Sequence, residues 1–326
     1  METNRRQVLA VLAGGAALAG CVSGEPSEDD DSTGNGTDDD PEPTDEPPTS
    51  TLPDEPFPEE CPAYDGVDRV ICYDAVDAAD VPAILEPSTR TVGEGDSIAF
   101  TLSNQADEML QTNFYNWLVS KRVDGEWYRV EPREWPEPLM AIESGGSHEW
   151  SITVDNAGIE DGASVSGTSG ETGGAVEGLG GGHYAFRARG WFEGDTYEDA
   201  MAFAATFEID ADPVSLTTTD AIESTTWDGE TLVAESSRGD PDSDTLGAYE
   251  LERLDDYDGD GPTVITEQLL RNDQRRDTVA LAAQYDADRV RLEEHDGTVP
   301  IFGSRSDGVF EYQGTYYEVS TEEIEE

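Results

Sequence analysis

Ser97-Ile98-Ala99-Phe100-Thr101-Leu102-Ser103 alternates without a break. Ile98, Phe100 and Leu102 fall on one side of an extended chain, because successive side chains of a strand point to opposite faces. The same period returns where Trp150, Ile152 and Val154 alternate with Glu149, Ser151, Thr153 and Asp155, and where Tyr184, Phe186 and Ala188 alternate with Ala185, Arg187 and Arg189. Met201, Phe203, Ala205, Phe207 and Ile209 form a further such file. Each reads as a strand with one buried and one wet face, so Arg187 and Arg189 are expected at the surface, paired with carboxylates. Turn residues divide the files at Gly93–Asp96, Asp124-Gly125, Gly145-Gly146 and Gly194-Asp195. Short antiparallel strands at this spacing predict a mainly β chain with a β-sandwich. The glycine-rich stretch 162–182 reads as a long, polar loop.

The order of segments carries a resemblance. FTLSN (100–104) is followed by VDGEWYRV (123–130), EPLMAI (137–142) and ESGGSHEWSITVD (143–155); GGGHYAFRARGWF (180–192) and FAATFEI (203–209) come after the long loop. This order resembles a bacterial immunoglobulin-like domain over roughly residues 84–210. The resemblance implies a surface setting, with Trp127 marking the edge of an early strand. It also implies that Gly182-His183-Tyr184 enters a late strand with the tyrosine packed at the corner. It brings no catalytic residues, because function lives in sites and not in the fold.

The first twenty-one residues read as a leader. Arg5-Arg6 precede an uncharged run of 13 residues, Val8–Gly20, that ends in Leu18-Ala19-Gly20-Cys21. The arginine pair resembles a twin-arginine (Tat) export signal, and Leu-Ala-Gly-Cys resembles the lipobox of secreted lipoproteins. The run is short of the ~20 residues a spanning helix needs, and Gly14-Gly15 interrupts it, which weighs against a transmembrane anchor. Residues 1–20 are thus expected to be removed, with Cys21 lipidated and holding the chain to the bilayer on the extracellular face.

Charge narrows the setting. The chain holds 74 acidic residues against 18 basic ones, a net charge of −56, and Lys121 is its single lysine. Such a chain repels itself at ordinary ionic strength, whereas at molar salt the Debye length falls to ~3 Å. The acidic, lysine-poor composition resembles proteins of salt-loving archaea. Nucleic acid is excluded as a partner, since both polymers are anionic.

Residues 21–60 read as a disordered stalk rich in proline and acid, with too few large apolar residues to fold. Asn35-Gly36-Thr37 within it is a glycosylation sequon. Cys61 and Cys72 are an even pair at the start of the folded part, and a disulfide between them would staple a collar where stalk meets fold. A two-cysteine metal site is the rival. Residues 61–211 then form the sandwich domain, and 212–326 a small α+β domain. The latter has strand signals at Ala221-Ile222 and Leu232–Ala234, helical periodicity over 264–285 with Asn272 as a cap, and a closing hairpin around Gln313-Gly314.

One stretch matches a calcium loop. Asp256, Asp258 and Asp260 alternate ahead of Gly261, Pro262 offers a carbonyl, and Glu267 stands at the closing position. A solvated acidic turn is the favoured rival, because the chain is rich in Asp and Gly and the segment before it alternates like a strand at Tyr249 and Leu251 as readily as it forms a helix. No other cofactor is expected. His148, His183 and His295 lack metal-ligand spacing, no serine elbow occurs, and Gly178–Gly182 precedes a strand and reads as a flexible loop. The sequence therefore predicts a non-catalytic binding or scaffolding module meeting an envelope protein or extracellular ligand. The alternative is a solute-capturing lipoprotein of a transport system.

Overall fold

The alternating segments pair as strands in a computed structural model that describes residues 52–165, 167, 170–242, 245–255, 257–295 and 307–324. In chain order the first twelve strands are β1 (Arg69–Cys72), β2 (Ala83–Pro87), β3 (Thr91–Gly93), β4 (Ser97–Asn104), β5 (Leu110–Thr112), β6 (Leu118–Val123), β7 (Glu126–Glu131), β8 (Met140–Ile142), β9 (Ser147–Asp155), β10 (Gly173–Glu177), β11 (Gly182–Phe192) and β12 (Met201–Asp210). One sheet runs β1-β12-β11-β5-β8, with β3 on β12 and the β6–β7 hairpin on β11. The other runs β10-β9-β4-β2.

The two sheets meet through the predicted apolar files. Phe100 of β4 stacks on Phe186 of β11 with ring centroids 4.2 Å apart, and Trp117 and Trp150 close around the same ring. All four side chains are fully buried, and each is worth about 1.5–3 kcal/mol in transfer from water. Tyr184 takes the expected corner: buried, it donates its hydroxyl to the Gly180 carbonyl at 2.6 Å. Trp127 is the second residue of β7, which pairs only with β6.

Two expectations are corrected. The stretch 162–182 is not a continuous loop, because Gly173–Glu177 adds to β9 in parallel as β10. Its glycines hid it: a Cβ on Gly173 would lie 2.3 Å from the Ser151 carbonyl oxygen, so a strand can approach there only without a side chain. Arg187 is not on a wet face either. Alternation places it outside the sandwich correctly, but residues 52–68 cover that outer face. There Cys61, Tyr64 and Val67 pack with Val70, Leu118, Ala202 and Ala204. The Cys61–Cys72 disulfide, with Cα atoms 5.9 Å apart, staples this cover.

The remaining elements are β13 (Ile222–Asp228), β14 (Thr231–Ser236), β15 (Leu246–Leu254), α1 (Thr266–Leu269), α2 (Asp273–Tyr285), β16 (Arg289–His295), β17 (Gly308–Tyr312) and β18 (Thr315–Ile324). The strands form a sheet ordered β13-β14-β16-β15-β18-β17, and Val279, Leu281 and Ala282 of α2 pack on it. Asn272 caps α2 as expected, its side-chain oxygen accepting from the Arg275 amide at 3.0 Å. The hairpin turns at Gln313-Gly314, both at positive φ, the conformation a two-residue turn demands. Among the described residues no helix is long and apolar enough to cross a membrane.

The described residues from 52 on belong to one compact unit, in which the sandwich and the second sheet each keep an apolar core of their own. Ile265, just before α1, belongs to the sandwich core. Gly178–Gly182 is the joint and not a flexible loop. Leu179 is fully buried, and a Cβ on Gly181 would stand 1.9 Å from the Ala211 carbonyl oxygen. Only glycine lets these backbones approach so closely.

Candidate functional site

Buried charge concentrates where the sandwich meets α1 and α2. Lys121 Nζ on β6 lies 2.5 Å from Glu267 Oε1 on α1, both shielded from solvent. Arg271 Nε donates to Glu131 Oε2 at 2.8 Å, while its Nη1 reaches the Gly178 carbonyl at 3.2 Å. Arg276, fully buried, donates to the carbonyls of Thr217, Ala163 and Ile159 at 2.7, 2.7 and 3.0 Å. Such networks hold elements in one register because each lost partner strands a charge in a poor solvent for it.

Beside this joint opens a cleft of about 380 Å³. Arg129 and Arg133, on β7 and just after it, face Arg275 of α2, and Val130, Val264 and Leu269 supply apolar wall. Neutral groups hold each guanidinium. Arg129 lies 5.1 Å over the Trp135 ring and donates to the carbonyls of Pro132 and Arg133 at 2.8 and 3.0 Å. Arg133 donates to the Arg271 carbonyl at 2.7 Å, and Arg275 lies 4.7 Å over the Phe310 ring. None of the three forms an ion pair among the described residues. Glu131 pairs with Arg271 and its charge also favours the charged forms of Arg129 and Arg133, while Glu267 pairs with Lys121 and Asp273 accepts from the Ser164 hydroxyl. Burial holds Arg133 below the usual arginine range; the Glu131 charge opposes this, and the neighbouring Arg271, Arg275 and Arg129 charges add to it.

The other sequence-derived positions fare differently. Arg187 lies 5.2 Å over the Tyr64 ring and donates to Asn116 Oδ1 at 2.9 Å. Burial brings its guanidinium down to about 10. Arg189 lies 3.9 Å over the Tyr197 ring and donates to the Gly66 carbonyl at 2.6 Å. Neither pairs with a carboxylate among the described residues, because the collar residues Tyr64 and Gly66, with Asn116 and Tyr197, supply rings and oxygens instead. Arg5, Arg6, Cys21, Asn35 and Asp256 lie outside the described residues.

The calcium set does not assemble among the described residues. Asp258 and Asp260 are exposed, the Pro262 carbonyl accepts from the Glu311 amide at 3.0 Å, and the Glu267 carboxylate is taken by Lys121. Strand β15, not a helix, leads into the stretch. Among the described residues, the one acidic and cysteine group close enough to share an ion is Cys61, Cys72 and Asp74, and there both sulfurs are spent in the disulfide.

Residues 85–163, from β2 through β9 and the turn beyond, match the family model of a bacterial Ig-like domain. The chain carries an Ig-like domain. Its match ends before β10–β12, which complete the same sandwich. No curated protein matches the sequence. Solved structures are similar in part, and three of them serve as examples. The alkylpurine DNA glycosylase AlkC of Pseudomonas fluorescens, bound to DNA containing an abasic site analog, is 9% identical with a TM-score of 0.20, over 40% of this chain and 31% of that one. Spo0M, the sporulation control protein of Bacillus subtilis, is 11% identical with a TM-score of 0.22, over 40% of this chain and 50% of that one. The native alpha-2-macroglobulin of E. coli is 12% identical with a TM-score of 0.23, over 53% of this chain and 9% of that one. The chain thus covers less than two thirds of each of these proteins, and likeness at these scores carries no argument.

Proposed function

We propose that the chain is a lipid-anchored surface protein of a salt-loving archaeon and serves as a non-catalytic binding module at the cell envelope. The leader supports export and anchoring: a twin-arginine-like pair, a short apolar run and a lipobox-like Leu-Ala-Gly-Cys21 stand in the order such signals take. The acidity supports a high-salt setting. One observation carries the binding role: the Ig-like domain is locked through buried ion pairs to a second sheet, giving a stiff head with a preformed cleft at the joint. A stiff head loses little conformational freedom when it meets a partner.

The test is crosslinking of the anchored protein on living cells at native salt, followed by mass spectrometry of what is captured. Amine-directed reagents are unsuitable because the single lysine is buried against Glu267, so the reagent must be carboxylate-directed. A dominant envelope partner, crosslinked to carboxylates within residues 61–211, supports the reading. A permease as that partner moves it to solute capture, and capture of nothing above background overturns it.

A further inference from the structure

We infer that the cleft between β7 and α2 binds a carboxylate group, held by Arg129, Arg133 and Arg275 with its hydrocarbon neighbour against Val130, Val264 and Leu269. The charge ledger of the chain makes this cleft unusual. With 74 acidic residues available, three guanidiniums line one opening, and among the described residues none of them is in an ion pair; the Glu131 charge acts on Arg129 and Arg133, and the Tyr249 hydroxyl lies against Arg275. Arg275 Nε is buried and finds no acceptor among the described residues.

The geometry selects the class of anion. Stacked and carbonyl-tethered guanidiniums are held in place before any ligand arrives, and their planar forks match the two coplanar oxygens of a carboxylate. The apolar wall shelters an alkyl group, which inorganic anions lack. The carboxylate can belong to a free organic acid or to the end of a partner's peptide chain, and both present the same group. The inference rests on the reading of the chain as a binding module, but not on its anchoring or on any particular partner.

The experiment is a titration of the full-length protein, labelled with nitrogen-15 at arginine and kept in molar sodium chloride, followed through the side-chain Nε–H resonances. The probes are butyrate, inorganic phosphate, and acetylated trialanine with a free or an amidated carboxyl terminus. Butyrate should shift the resonances of Arg129, Arg133 and Arg275 saturably, with half-saturation near ~1 mM, on the order of 4 kcal/mol of binding. Arg133→Gln and, separately, Arg129→Gln should each weaken it about tenfold, while Arg122→Gln outside the cleft leaves it unchanged. Near-ultraviolet circular dichroism identifies a variant that has lost its fold, and the other variant then decides. Tighter binding of the free-ended peptide, abolished by amidation, assigns the site to a chain terminus; equal or tighter binding of butyrate assigns it to a free acid. No saturable shift, shifts spread over surface arginines, insensitivity to both cleft variants, or phosphate binding more tightly than butyrate would each overturn the inference. On-cell crosslinking can fail while this titration succeeds, and the reverse, so the two readings stand or fall separately.

Discussion

Lys121 and Glu267 lie 146 positions apart in the chain, yet their side chains meet at 2.5 Å inside the protein. The only lysine of a chain with 17 arginines is therefore spent on joining the Ig-like domain to α1. Tyr184 closes the site, its ring centroid 5.3 Å from Lys121 Nζ and its hydroxyl 3.5 Å from Glu267 Oε1. Removing one partner leaves a buried charge. Lys121→Met alone should lower stability by about 3–5 kcal/mol, and adding Glu267→Leu should restore most of it. Denaturant midpoints at fixed molar salt measure both. A single-variant loss below about 1 kcal/mol would contradict the joint as described.

Gly181 tests the same joint through the backbone. A methyl group there meets the Ala211 carbonyl oxygen at 1.9 Å, and one at Gly180 meets the Val214 amide nitrogen at 2.5 Å. Neither obstacle is a flexible side chain that can swing away. Gly181→Ala should cost about 1–3 kcal/mol or more and raise hydrogen exchange in α1 and β12 above that in β4. Unchanged exchange would show that these segments do not pack as closely as described.

Tyr184 gives a pH signature. Burial, with the Glu267 charge beside it, holds its hydroxyl well above the ordinary tyrosine range. The folded value lies above the unfolded one, so its contribution is complete below about pH 10 and is lost as pH rises further, at up to about 1.4 kcal/mol per pH unit. Tyr184→Phe should cost about 1 kcal/mol at neutral pH through the lost bond to Gly180, and should flatten the alkaline decline by one proton. An unaltered alkaline slope would show that Tyr184 does not ionise late.

Salt should act in one direction. Residues 61–326 carry 58 acids against 16 bases, and most of that excess faces solvent. Raising ionic strength from about 0.1 M to above 1 M shortens the Debye length from ~10 Å to ~3 Å. Thermal midpoints should climb steadily over that range. A midpoint that falls or stays flat would remove the argument for a high-salt setting.

The parts that the sequence made legible are those with a local period or turn. Ile98, Phe100 and Leu102 predicted a strand because its buried face repeats every second residue, and Asn272 announced α2 because a cap needs its neighbours only. The collar was half legible. Cys61 and Cys72 declared a staple, but nothing local said that Tyr64 and Val67 would lie over Arg187, so that arginine read as wet. The glycines of β10 offered no side chains to alternate. The Asp256–Glu267 spacing fitted a loop whose last member faces the other way, because Lys121 waits 146 positions upstream. The cleft was least visible of all. Arg129 and Arg133 meet Arg275 only through long-range packing, and the sole hint was a chain that keeps arginines where acids prevail.

The claim that the head is displayed on a membrane is tested most directly by the intact mass of the protein extracted from cells with detergent. The account predicts a chain beginning at Cys21, heavier than its amino acids by a lipid carrying two hydrocarbon chains, which suit stable anchoring. A chain that still begins at Met1, or one that begins at Cys21 with no added mass and stays in the soluble fraction, would contradict it.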